Sequence, residues 1–155
     1  MLIHSVADQG VGMYVSQGVH GLNDIDATAM EQAWQEVVDR HEVLRTSFAW
    51  EGLERPLQRV HPCVEVRLGI RSLEHLSAWE QKMQLRAILT QDRKVGYDLT
   101  KPPLFRLLLI KRSAQSYYLV FSHHHLRLDG WSNPILLDEV RTCYRARLRG
   151  VSADL

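Results

Sequence analysis

Three histidines stand in a row late in the chain, and the second and third open the run His124-His125-Leu126-Arg127-Leu128-Asp129-Gly130-Trp131-Ser132. Two adjacent histidines, a three-residue spacer and Asp-Gly make an HHxxxDG signature. An imidazole titrates at about 6.5 when unperturbed, so it suits proton transfer near neutral pH. The preceding run Tyr117-Tyr118-Leu119-Val120-Phe121 is aromatic and β-branched and predicts a buried strand. Asp129-Gly130 predicts a tight turn, with a helical pattern just after it. The signature thus places an imidazole at a strand end, where it can meet substrate while the scaffold behind it stays rigid.

Strand geometry divides the histidines. Neighbouring residues point to opposite faces, so His124 faces away when His125 faces a site, and His123 repeats the orientation of His125. The imidazole that faces the site could act as a general base or as a hydrogen-bonding group that orients a substrate. His124 is expected to be structural, with a partner for its buried ring. The alternation keeps all three from converging, and no Cys or carboxylate pair stands at ligand spacing, so no metal site is expected. Asp129 is open to two roles. It could orient the imidazole as the acid of a triad does, or be a buried structural carboxylate that needs a cationic partner. Gly130 would permit close backbone approach, and its N–H could point at a developing oxyanion. Trp131 is expected in the core. Arg40 and His41 are read as cations favourable at a helix C-terminus.

The elements that must position these residues are mixed. Tyr14 to Leu22 alternates weakly, as a strand does. Asp26 or Thr28 can cap a helix, Thr28 and Glu31 fitting a capping box, and Met30, Ala33, Trp34, Val37 and Val38 share its face. Leu44 to Trp50, Leu57 to Val60 and Val64 to Leu68 are strand candidates. Ser77 can cap a second helix patterned on Trp79, Met83, Ala87 and neighbouring apolar residues up to about Lys94, with Gly96 as its stop. Leu104 to Ile110 and Tyr117 to His123 predict two strands joined by a polar turn. Ser132 or Asn133 can cap a last helix with Pro134 in its first turn and a buried stripe of Leu136, Val140, Cys143, Tyr144 and Leu148. Pro102-Pro103 is read as a rigid lead-in to a strand. The pattern is α/β in a single layered domain.

Composition narrows the function classes. The 155 residues are enough for one domain with a real core. A formal charge of +1 gives no reason to expect nucleic acid or an anionic membrane as partner. No apolar run is long enough to span a bilayer, and the N-terminus shows no secretory signal. Cys63 and Cys143 lie far apart, without CxxC spacing, and are read as reduced, semi-buried thiols of a cytoplasmic protein.

The HHxxxDG run with its trailing Trp-Ser resembles the active-site signature of condensation domains of nonribosomal peptide synthetases. Arg40-His41-Glu42-Val43-Leu44-Arg45-Thr46-Ser47-Phe48 is similar to that family's RHxxLRTxF motif, and Tyr97-Asp98-Leu99 with Pro102-Pro103-Leu104-Phe105-Arg106 to its (F/Y)DL and PPLxR segment. The resemblance runs from Met1-Leu2-Ile3-His4-Ser5 onward. It implies a chloramphenicol-acetyltransferase-like lobe, a central mixed sheet with helices packed on it. It implies that residues 1–155 are a partial condensation domain, the N-terminal lobe, lacking the family's first motif segment and the whole C-terminal lobe. The activity implied is amide formation between a carrier-bound acyl or peptidyl thioester and the amine of a carrier-bound aminoacyl thioester, in a tunnel between two lobes. The site residues implied are catalytic His125, supported by His124, Asp129, Gly130 and Arg45, with Asp129 salt-bridged to Arg45. No cofactor is implied on the domain itself; phosphopantetheine arrives on upstream and downstream peptidyl carrier domains. An epimerization-domain lobe of the same superfamily, or a noncatalytic carrier-docking remnant, are the alternatives. The isolated chain is expected to be inactive.

Overall fold

The computed structural model describes residues 14–126 and 128–155. The stretch Met1–Ser5 and Arg127 lie outside the described residues. The elements in chain order are β1 (Val15–Asn23), α1 (Ala27–Arg40), a 3-10 turn (Glu42–Arg45), β2 (Thr46–Ala49), β3 (Leu57–Val60), β4 (Leu68–Ser72), α2 (Ala78–Val95), β5 (Phe105–Lys111), β6 (Ser116–His124) and α3 (Ser132–Leu148). They fall into two units. One gathers the described part of Met1–Ile25 with Leu68–Tyr97 and Phe105–Leu126; the other gathers Asp26–Arg67, Asp98–Leu104 and the described part of Arg127–Leu155.

The first unit is a four-stranded sheet in the order β1-β6-β5-β4, with α2 packed on it. Antiparallel β1–β6 and β5–β6 pairs and a parallel β4–β5 pair make the sheet mixed. β6 is central, so its apolar residues bury on both faces, and Leu119, Val120 and Phe121 are all buried. The register pairs His124 with Val15 on one side and His123 with Phe105 on the other.

α2 starts at the expected cap. The Ser77 hydroxyl and the Glu80 carboxylate close a reciprocal capping box. Gly96 ends the helix at φ 61°, a conformation that favours glycine. The buried face, however, is not the one patterned on Trp79 and Met83, which are 70% and 44% exposed. Leu85, Ile88 and Leu89 pack instead on Leu73, Ile110 and Val120. Gln81 and Asp92 continue that stripe at helical spacing, and both are polar. Gln81 Nε2 donates to the carbonyls of Leu73, Leu76 and Arg112.

The second unit packs α1 against α3 and carries the β2–β3 hairpin. Met30, Ala33, Trp34, Val37 and Val38 form the buried face of α1 as their spacing predicts. Asp26 caps the helix by accepting the Ala29 N–H at 2.9 Å, so the Thr28 capping box does not form. The expected strand from Leu44 begins with the 3-10 turn and becomes extended at Thr46. Val64 to Leu68 is no strand up to Leu68, where β4 begins. Val64 and Val66 are still buried, because the Gln35 amide of α1 replaces a strand partner: it donates to the Val64 carbonyl at 3.0 Å and accepts the Val66 N–H at 2.8 Å. Cys63 is exposed, not semi-buried, and Cys143 is buried; both are free thiols. Among the described residues no helix is long and apolar enough to cross a membrane.

Candidate functional site

β6 ends at His124, and His125 is the first residue of the turn beyond it. Its backbone N–H donates to the Tyr14 carbonyl at 2.9 Å, which fixes the strand end while the side chain stays exposed. The ring of His125 meets that of His123 at 5.9 Å between centroids and an interplanar angle of 72°. His123 in turn stacks on Phe121 at 5.0 Å, so Phe121, His123 and His125 form one column at alternate positions. His124 belongs to the other face. Its ring lies 6.0 Å from that of Tyr14 and 6.2 Å, edge-on, from that of Tyr97. Its Nδ1 accepts the Leu126 N–H at 3.2 Å, which closes the turn and puts the proton of the neutral ring on Nε2.

Both inner histidines are held neutral. Burial, and then the nearby charge of His125, push His124 down to about 4. Burial first, then His125 and His124, push His123 down to about 4 as well.

Beneath His124 lies a polar cluster that sequence reasoning missed. Asp92 of α2 accepts Gln17 Nε2 at 2.7 Å, the Ser122 hydroxyl at 2.6 Å and Arg106 Nε at 2.6 Å. Arg106 also donates to the carbonyls of Asp92 at 2.8 Å and Gly96 at 2.5 Å, and its guanidinium covers the Tyr97 ring at 4.0 Å. Burial alone would raise the Asp92 pKa, but hydrogen bonds from Arg106, Ser122 and Gln17 outweigh it and hold the carboxyl below its ordinary range. Burial pushes the Tyr97 phenol well above its ordinary value. The cluster ties α2 to β1, β5 and β6 directly under the histidine-bearing strand end. Its sequence signals were Ser122 within an apolar strand and Asp92 in phase with Leu85 and Leu89.

The expected salt bridge between Asp129 and Arg45 does not form. Asp129 is exposed, and its Oδ1 accepts the N–H groups of Trp131 and Ser132 at 3.1 and 2.8 Å and the Ser132 hydroxyl at 2.7 Å. It is the side chain that caps the start of α3, the role assigned to Ser132 or Asn133. The Ser132 hydroxyl first, then backbone N–H groups, hold its pKa low. Arg45 Nε donates to the Val38 carbonyl at 3.2 Å, and its Nη1 to the carbonyls of His61 and, at 3.3 Å, Pro62. A guanidinium with three carbonyl acceptors has no need of a carboxylate, so Arg45 instead stitches the end of α1 to the segment after β3.

Other expected positions also shift. A Cβ built on Gly130 would meet no atom of the described residues within 4 Å, so nothing in their packing demands a glycine there. Trp131 is 86% exposed, not core; it precedes the first turn of α3, five residues ahead of Leu136 and out of phase with the stripe. That stripe is Leu136, Val140, Cys143 and Tyr144 as expected, but Ala146 joins it and Leu148 at the helix end is exposed. Arg40 and His41 do end α1. His41 Nε2 contacts Glu139 at 2.5 Å, and Arg40 reaches the Leu155 carbonyl at 3.1 Å. No cluster of potential metal ligands occurs among the described residues.

Comparison with known proteins adds the lineage. The family model of the condensation domain matches residues 1–155. A linear gramicidin synthase protein of Brevibacillus parabrevis is 44% identical over 155 residues, 100% of this chain and 3% of that protein. Bacitracin synthase 3 of Bacillus licheniformis is 34% identical over 156 residues, again 100% of this chain and 2% of the relative. In fold, the chain is similar to the starter condensation domain of rhizomide synthetase, with a TM-score of 0.87 at 19% identity over 99% of this chain and 37% of the other. The chain therefore spans a small part of the relatives it matches, and its mixed sheet with packed helices is the chloramphenicol-acetyltransferase-like architecture expected from sequence.

Proposed function

Because the chain belongs to the condensation-domain family of nonribosomal peptide synthetases, we propose that residues 1–155 form the histidine-bearing N-terminal lobe of such a domain. The observation that carries this reading is the placement of His125. It is an exposed imidazole on a backbone pinned to Tyr14, beside two buried histidines held neutral. One titratable group is thus offered to solvent while its neighbours stay uncharged.

The reaction is amide formation. The amine of an aminoacyl thioester on the downstream carrier attacks the carbonyl of an acyl or peptidyl thioester on the upstream carrier. A C–N bond forms, the C–S bond breaks, and the amine proton ends on the departing phosphopantetheine thiol. His125 handles the amine proton, and local dipoles such as the Gly130 N–H stabilise the oxyanion. Held in register, the two thioesters react in an effectively intramolecular way, which supplies much of the rate. The domain binds no cofactor of its own; both phosphopantetheine arms come with carrier domains, and a cytoplasmic location fits such partners. A C-terminal lobe completes the tunnel, so the 155-residue chain alone is inactive.

The test is amide product from acyl-loaded and aminoacyl-loaded carriers, with the intact synthetase and with its His125→Ala variant. Loss of product in a folded variant is expected. A wild-type rate would overturn the reading in favour of a carrier-docking lobe. Turnover by the monomeric 155-residue chain would overturn the need for a second lobe.

A further inference from the structure

Neither ring nitrogen of His123 has a hydrogen-bond partner among the described residues, although the residue is only 2% exposed. Buried polar atoms are nearly always paired, and an exception asks for a reason. Packing does not supply one. His123 stacks on Phe121 at 5.0 Å with 27° between the rings, and its register partner on β5 is Phe105. A phenylalanine would continue that aromatic column without orphaned nitrogens. The imidazole is therefore kept at a cost to stability, as happens where function opposes packing.

The second ring that His123 meets is that of His125, edge-on at 5.9 Å. An imidazole that moves protons works best when a further group fixes its tautomer and plane. Asp129 is committed to capping α3. A neutral imidazole carries one donor and one acceptor nitrogen, so His123 has the lone pair that the task needs.

We propose that His123 is a positioning residue for His125: in the reacting complex one of its free nitrogens accepts the ring N–H of His125 and so sets the tautomer and plane of the imidazole that meets the amine. This rests on the assignment of His125 as the amine-handling group. The two rings already meet edge-on in this structure, and such bonds commonly tighten only when substrate is bound. Burial keeps His123 neutral near physiological pH, so its acceptor nitrogen stays available.

The test uses the intact synthetase with His123→Phe, His123→Gln and His125→Ala, measuring single-turnover amide formation from loaded carriers and the melting temperature of each. His123→Phe is expected to melt at or above the wild-type temperature while its rate falls about ten-fold or more. His123→Gln, whose amide oxygen can accept, recovers part of that loss. A folded His123→Phe variant within about two-fold of the wild-type rate overturns the proposal, as does a rate that falls only in step with the folded fraction. If the Phe variant does not fold, His123→Met is the second apolar probe and is scored the same way. A wild-type rate in His125→Ala overturns the site assignment and this proposal with it. Loss in His125→Ala without loss in His123→Phe overturns the positioning role alone.

Discussion

Asp92 on α2 accepts the hydroxyl of Ser122 on β6 at 2.6 Å. The same carboxylate holds Arg106 and Gln17, so one side chain joins the helix to three strands beneath the histidines. Removing it leaves a half-buried guanidinium, a hydroxyl and an amide without their acceptor. Asp92→Ala should therefore cost about 3–5 kcal/mol of unfolding free energy, the range for breaking one side of a buried pair. Asp138 pairs with Arg141 on an exposed helix face, and Asp138→Ala should cost about 0–1 kcal/mol. Urea unfolding of the two variants makes the comparison. Equal midpoints would mean that the Asp92 cluster does not hold the sheet to its helix.

The two inner histidines make stability depend on pH. Both have folded-state pKa values pushed down to about 4 from 6.5, so the folded state binds fewer protons than the unfolded one between those values. Their contribution is fully present above pH 6.5 and is lost as the pH falls toward about 4. The urea midpoint should therefore drop steadily on acidification from pH 7 to 4.5, and His123→Phe should flatten part of that slope. An equal slope in the variant would place His123 in contact with water.

The elements that sequence located best are those whose residues satisfy one demand at a time. α1 was legible because Met30, Ala33, Trp34, Val37 and Val38 are apolar and in phase. β6 was legible because a central strand is apolar on both faces, and alternation then sorts His123 and His125 from His124. The reading failed where a polar side chain did structural work. Gln81 and Asp92 lie on the buried side of α2, whereas Trp79 and Met83 of its pattern are exposed. Gln35 holds Val64 and Val66 in place of a strand, a contact made across a turn of sequence that periodicity does not see. Arg45 found carbonyl oxygens, which carry no sequence signal at all, while the family resemblance pointed to Asp129 of the HHxxxDG run as its partner.

That difference yields a sharp prediction for Asp129. As an exposed cap it should contribute only modestly, so Asp129→Ala destabilises slightly and Asp129→Asn by less. Were it the partner of Arg45 in a buried pair, the loss would be about 3–5 kcal/mol. A double-mutant cycle between Arg45→Met and Asp129→Ala should give a coupling energy below about 0.5 kcal/mol, as for independent sites. A coupling of several times that size would restore the salt bridge.

The last contrast separates His124 from His125. His124 lies between the rings of Tyr14 and Tyr97 and accepts the Leu126 N–H, so it supports the turn that presents its neighbour. Truncation leaves a void and an unpaired N–H, and His124→Ala should lose about 2 kcal/mol or more of stability. Its folded fraction should still form amide, because the ring faces away from the column that carries His125. His125→Ala removes an exposed side chain whose backbone bond to Tyr14 remains, so its melting temperature should hold. Its rate in the intact synthetase should fall by about 10²–10⁴, the usual loss for a group that handles a proton in the transition state. Melting temperature and amide yield measured together thus place the two variants in opposite corners. If both lose stability and rate in parallel, the strand end acts as one structural unit, and the assignment of His125 as the group that meets the amine fails.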